Sequence, residues 1–269
     1  MDPHLRQNRD HWDELVGIHL KSKFYDVKAF RKGKIALDPL ERAEVGDVAG
    51  KSLLHLQCHF GLATMSWARL GAEATGIDFS PQAITAARGL SAEMNLPTRF
   101  IECDVLEAPS HLDETFDVVF TSWGVLGWLP DLARWGEVVG QFVKPGGTFH
   151  LLEIHPTALM CEPNRKGLPV PHYSYFAQTN PLTFADETSY ADGKRKIRNR
   201  KNHSWIFEMG QVVNALIAGG LHIDSLREYP FSCYRHFPDL VQRRDGFWHM
   251  PKRWPQMPLT FSIKARKPV

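Results

Sequence analysis

The stretch LLHLQCHFGLATMSWARLGAEATGID, residues 53–78, is the reading from which the rest follows. Leu53, Leu54 and Leu56 form a short apolar run suited to a strand covered on both faces. The chain then turns through Gln57, Cys58, His59, Phe60 and Gly61. Leu62, Met65, Ala68 and Arg69 recur at helical spacing, and Gly71 stands where a helix-ending glycine belongs. Ala72–Ile77 predicts a second strand that ends on Asp78. The order strand, turn, helix, strand, acid is half of a doubly wound α/β unit. In such units the first turn faces a nucleoside-bearing ligand and the acid meets its ribose hydroxyls.

The turn is poor in glycine. Only Gly61 remains where phosphate-binding turns carry two or three, and bare backbone is what lets a pyrophosphate approach. That disfavours a dinucleotide dehydrogenase and suits a nucleoside without phosphates. The chain resembles the class I S-adenosylmethionine-dependent methyltransferases, and among them a bacterial subgroup whose first motif reads HLQCHFG. His55 replaces the usual acid, and Gln57 and His59 replace two glycines. The resemblance implies a Rossmann-like, doubly wound seven-stranded sheet. It also implies S-adenosyl-L-methionine as cofactor, bound by Gln57, His59, Gly61, Asp78 and Phe79. The bland alternative is any βαβ unit, and the altered turn leaves open a catalytically inactive cofactor-binding protein.

The 269 residues, 43% hydrophobic and 23% charged, suffice for one large α/β domain. A formal net charge of +2 points to no polyanionic partner. Cys58, Cys103, Cys161 and Cys233 are scattered, which suits reduced thiols in a cytoplasmic protein rather than a disulfide framework or zinc knuckle. No run reaches the length of a membrane span, and the N-terminus lacks an apolar signal core. Residues 1–50 read as N-terminal lid helices, 51–154 as the cofactor-binding core, 155–206 as a substrate cap and 207–269 as the C-terminal part of the core.

Trp12, Leu15, Val16 and His19 mark a helix over 9–20, and Asp38-Pro39 marks a helix start. Lid helices in the resembled class lie over the cofactor cleft, which implicates Phe24, Tyr25 and Phe30; plain packing is the alternative for each. Ser80-Pro81 opens a helix to about Met94, closed by Asn95. A third strand, 98–102, leads to Cys103-Asp104-Val105. By resemblance Asp104 takes the adenine amino group and Val105 packs on the ring; a helix cap is the alternative for Asp104. Phe116–Thr121 predicts a fourth strand, with Ser122 and Trp123 at the carboxyl end where ligands of open α/β sheets bind. Ser122 is expected near the methionine part of the cofactor and Trp123 near the methyl group, with hydrophobic cover the rival reading for Trp123 and Trp128. A helix from Asp131, a Pro145-Gly146-Gly147 turn and a fifth strand over 148–154 follow.

Residues 182–206 read as a hairpin around Asp192-Gly193, a cap inserted after strand five. Its basic run, Lys194 to Lys201, reads as a charged edge strand rather than a nucleic-acid patch. A helix over 207–218 and strands over 221–231 and 259–264 complete the expected topology, with the last strand antiparallel between five and six. The chemistry expected is an in-line methyl transfer to a small aromatic or apolar acceptor at oxygen, nitrogen or an electron-rich carbon. An RNA methyltransferase using the basic hairpin is the alternative. If the acceptor must lose a proton, His155 and His203 are candidate bases, with Tyr25 a third group near the reaction. Glu153 is expected to orient a neighbour or cap a helix. Trp123, Tyr25 and Tyr175 are expected to line the acceptor pocket. His55, Cys58 and His59 resemble a metal set in composition, but the strand should turn His55 away from His59, and no metal is expected.

Overall fold

The structure is a computed structural model describing residues 2–176 and 178–269. Its centre is a seven-stranded sheet: β1 (Ser52–Leu56), β2 (Glu73–Asp78), β3 (Arg99–Glu102), β4 (Phe116–Ser122), β5 (Val143–Ile154), β6 (His222–Tyr229) and β7 (Thr260–Arg266). The spatial order is β6-β7-β5-β4-β1-β2-β3. β1 to β5 run parallel, and β7 lies antiparallel between β5 and β6, pairing Thr260 with Ile154 and Leu226 with Ile263. The strand order reverses beside β1, so the carboxyl ends of β1 and β4 open a crevice there.

Local chemistry explains the elements. α1 (Pro3–His19) starts from Asp2, whose carboxylate accepts from the His4 and Leu5 amides. After α2 (Val27–Arg31), α3 (Pro39–Val45) is fixed by a capping box between Asp38 and Glu41. α4 (Leu62–Arg69) follows Gly61, and Ser80 caps α5 (Pro81–Glu93) through the Ala83 amide. α6 (Leu132–Phe142) packs against α8 (Met209–Ala218), and a short α7 (Pro156–Leu159) follows β5. The α6–α8 approach is backbone on backbone: a Cβ on Gly136 would run into the Ala215 carbonyl, and one on Gly140 into that of Gly219. α1, α2, α4 and α5 cover the other face through Val16, Phe30, Phe60, Met65, Ile84 and Leu90.

Three expected features differ. Pro145-Gly146-Gly147 is not a turn between elements. β5 already begins at Val143, paired with Phe116, and the glycines form a bulge before Thr148 pairs with Val118. A Cβ on Gly147 would lie 3.0–3.1 Å from the Lys144, Phe116 and Asp117 carbonyls. The cap is two nested ribbons rather than one hairpin. Leu182–Ala185 pairs with Lys201–Ser204, and Thr188–Ser189 with Asp192–Lys196. The reversal falls on Tyr190-Ala191, tightened by Ser189 Oγ accepting from the Ala191 amide, and Gly193 does not take up a positive φ. The first helix also begins earlier than its apolar spacing indicated, because Asp2-Pro3 supplies the cap.

Candidate cofactor and acceptor site

The turn after β1 keeps the conformation of a glycine turn without the glycines. Gln57 has φ 55°, His59 φ 52° and Gly61 φ 75°, all left-handed. Space enforces the last: a Cβ on Gly61 would sit 2.5 Å from the Phe100 ring. Beneath the turn, Asp78 is 8% exposed. Its Oδ2 accepts from the His59 amide (2.8 Å) and its Oδ1 from the Ser80 amide (2.9 Å). Burial pushes its carboxyl up to about 6, even though these backbone donors favour the anion. Asp104, past β3, caps the following 3₁₀ turn through the Leu106 amide (3.0 Å), and burial raises its carboxyl too. Val105 is buried and Phe79 half-buried beside these acids.

The N-terminal segment closes over the turn. Asp13 of α1 accepts from Ser80 Oγ and from the Gln82 amide at the start of α5. His19 Nδ1 lies 2.9 Å from His59 Nε2, and His19 Nε2 lies 2.8 Å from Ser189 Oγ in the cap. Burial drives His19 down to about 3 and His59 well below its ordinary range, so both rings are neutral. Trp12 and Tyr25 stand against His59 at ring separations of 5.3 and 5.7 Å. The Tyr25 hydroxyl meets that of Tyr190, and Tyr190 stands 6.1 Å from Tyr234. Desolvation raises both hydroxyls, which stay protonated, although half of the Tyr190 side chain is exposed.

At the carboxyl end of β4, Ser122 Oγ donates to Glu41 Oε1 (2.9 Å). Glu41 is 4% exposed and has no cationic partner among the described residues. Its other oxygen accepts from the Asp38 amide (2.8 Å). Burial, then Asp38, pushes its carboxyl up to about 8. Trp123 lies beside both acids, and Cys233 is within electrostatic reach of both. Glu153 gathers the Gly124, Val125 and Leu126 amides at 2.5, 2.7 and 2.9 Å, so it fixes the loop after β4.

The expected site residues therefore fall into two sets. Gln57, His59, Gly61, Asp78, Phe79, Asp104, Val105, Ser122, Trp123 and Tyr25 lie along the sheet's carboxyl edge. His155 caps α7 and holds Thr157 Oγ1 (2.8 Å) and Glu228 Oε1 (2.7 Å) with its two ring nitrogens. His203 holds Thr183 Oγ1 (3.1 Å) and Gln7 Oε1 (2.6 Å) under the start of α1. The Tyr175 hydroxyl takes the Met209 amide (3.3 Å) at the start of α8. His55 points under the sheet onto Thr64 (2.9 Å) and Phe120, away from His59. Among the described residues, no group of three or more His, Cys, Asp or Glu is placed to hold a metal. Sequence spacing does not single out Glu41, Tyr190 or Tyr234, and it marks His19 only as part of a helix face. An acid at the third position after a cap reads as capping alone, and Tyr190 stands in the reversal that the Asp192-Gly193 signal places two residues later.

Residues 54–149 match the methyltransferase-domain family. That match covers 96 of the chain's 269 residues. A ubiquinone biosynthesis O-methyltransferase of Proteus mirabilis is 31% identical over 132 residues, 47% of this chain and 53% of that one. Its counterpart from Pseudoalteromonas translucida is 27% identical over 215 residues, 78% and 85% of the two chains. The match thus spans about half the length of the first relative and most of the second. The solved structure of an S-adenosylmethionine-dependent methyltransferase from Mesorhizobium loti superposes with a TM-score of 0.62 at 20% identity, over 88% of this chain and all of that one. The fold is shared with that solved methyltransferase. The order β6-β7-β5-β4-β1-β2-β3 agrees with that assignment. None of the described helices is long and apolar enough to cross a membrane.

Proposed function

We propose that the chain transfers the methyl group of S-adenosylmethionine to a hydroxyl of a small aromatic acceptor. The observation that carries this is the cluster at the carboxyl end of the sheet. Tyr25 from the lid lies against His59, its hydroxyl meets that of Tyr190 from the cap, and Tyr190 stands against Tyr234. Such an aromatic enclosure suits a flat acceptor. The curated relatives' O-methyltransferase names support oxygen as the atom methylated.

The residues present fit the cofactor. Asp78 is a buried carboxylate held by backbone amides with capacity left to accept ribose hydroxyls, and Asp104 and Val105 offer an acceptor and an apolar contact for adenine. When bound, S-adenosylmethionine supplies a sulfonium-activated methyl group. The protein's share is to orient the acceptor hydroxyl, exclude water and take its proton. Trp12, Tyr25 and the cap turn exclude water. Tyr25 and Tyr190, held protonated, donate hydrogen bonds rather than remove protons. Glu41, enclosed behind Ser122 and titrating near 8, is the group proposed to take the proton. His155 and His203 have both ring nitrogens committed to other side chains.

The test is incubation of the purified chain with S-adenosylmethionine and a panel of aromatic alcohols, amines and short RNAs, scored by S-adenosylhomocysteine release. Turnover confined to hydroxylated small aromatics is expected. Turnover only with amines or RNA would overturn the acceptor assignment.

A further inference from the structure

The walls around the tyrosine cluster carry acids and aromatic rings. Asp38 and Glu41 stand at the start of α3, and Glu153 lies near the end of β5. Cys233 ties these acids to the tyrosines. It packs with Tyr234 in the cluster that contains Ile154, the residue after Glu153. Burial raises its thiol, and so do Asp38, Glu41 and Glu153, with Asp38 the strongest of the three. Cys233 in turn acts on the Tyr25, Tyr190 and Tyr234 hydroxyls. No Lys or Arg is among the groups that act on Asp38, Glu41 or Glu153. Glu44, on the same helix as Glu41, does have one: Arg227 at 2.8 Å. Glu153 is filled by backbone amides, and Glu41 by Ser122 and the Asp38 amide. Asp38 gives Oδ1 to the Glu41 amide and is only half-buried, so it is the most reachable of the three. The tyrosine tips are engaged as well: Tyr25 and Tyr190 meet each other, and the Tyr234 hydroxyl meets His236 Nδ1. Beyond those tips the cluster offers ring faces.

We propose that the acceptor carries a protonated amine besides the hydroxyl that is methylated, with Asp38 as its counter-ion and the Tyr190 and Tyr234 rings against it. The proposal rests on the aromatic-alcohol reading above and adds the charge of the acceptor. Enclosed acids without a cation are costly, and an ammonium supplies the missing partner. Aromatic faces attract the same ion. A carboxylate in that place would add a like charge to the enclosed set and be rejected. The amine binds and does not react. Glu41, deeper in the wall than Asp38, remains the group that takes the hydroxyl proton.

The experiment gives the full chain S-adenosylmethionine and three phenols that differ only in the charge of the side arm. Tyramine is cationic, tyrosol neutral and 4-hydroxyphenylacetate anionic. Products are identified by mass spectrometry, and kcat/KM is compared. O-methylation of tyramine is expected to exceed that of tyrosol by about tenfold or more, with 4-hydroxyphenylacetate lowest. Asp38→Asn keeps a helix cap and should bring the tyramine-to-tyrosol ratio towards one. Thermal unfolding verifies that the variant is folded. Should it fail to fold, Tyr190→Leu, on a half-exposed side chain, carries the same comparison, with the ratio falling about threefold. An equal or reversed order among the three phenols, methylation on the tyramine nitrogen, or a ratio unmoved by the substitution overturns the proposal alone. So does turnover of none of the three while other aromatic alcohols are methylated. A wild-type chain that methylates no aromatic alcohol overturns the acceptor reading as well, and that result is distinct because it precedes any comparison of charge.

Discussion

Glu41→Gln probes a buried carboxyl beside a second acid. The carboxyl is nearly solvent-free, and burial with Asp38 beside it raises it from an ordinary value of 4.5 to about 8. A carboxyl raised on folding stabilises the native state below its unfolded pKa. That contribution is lost as pH climbs towards the folded pKa, because the unfolded chain releases the proton first. Between pH 5 and pH 8 the slope approaches 1.36 kcal/mol per unit, and integration over the shift gives about 3.5 kcal/mol. Sharing of the shift with Asp38 lowers the expectation to roughly 2–3.5 kcal/mol. Glutamine keeps an oxygen for the Asp38 amide and an NH2 for Ser122 Oγ, but it cannot ionise. The variant should therefore gain that much on wild type between pH 5 and pH 8. Urea unfolding at the two pH values, followed by the fluorescence of the 8 tryptophans, measures it directly. Parallel pH dependences for wild type and variant would refute the burial argument. The same substitution should remove the rise in methyl-transfer rate through pH 8.

Three further outcomes are expected. Asp78→Asn should weaken S-adenosylhomocysteine binding by about tenfold or more, since a charge-assisted acceptor is lost; calorimetry checks it. Gly136→Ala should cost about 3 kcal/mol or more, because the new methyl meets the Ala215 carbonyl of α8, and a sharp drop in unfolding temperature would report it. Glu153→Ala should cost about 2–4 kcal/mol, since the Gly124, Val125 and Leu126 amides all lose their acceptor, with hydrogen exchange accelerating in that loop first.

Much of the core is legible because its signals are local. Strand, turn, helix and acid over 53–78 lie within 26 consecutive residues, and Asp38, Ser80 and Asn95 mark helix ends through short-range chemistry. What escaped depends on distance. Whether Pro-Gly-Gly is a turn or a bulge depends on Phe116 and Asp117 in the neighbouring strand. The Asp192-Gly193 signal was outcompeted by Ser189, whose hydroxyl tightens the reversal one step earlier. His155 and His203 looked available as bases, and no spacing in the sequence announces Glu228 or Gln7 as their partners.

The wide separation of those partners also bears on the order in which the protein assembles. His19 meets Ser189 across 170 positions, Tyr25 meets Tyr190 across 165 and Asn8 meets His203 across 195. These contacts join the N-terminal helix to the cap that follows β5, and closing such long loops is slow. The parallel core can condense while lid and cap are still apart. The lid should then be the last part to dock on refolding and the first to leave in native fluctuations. The crevice at the carboxyl edge of the sheet is thus closed by the contacts that form across the longest stretches of chain.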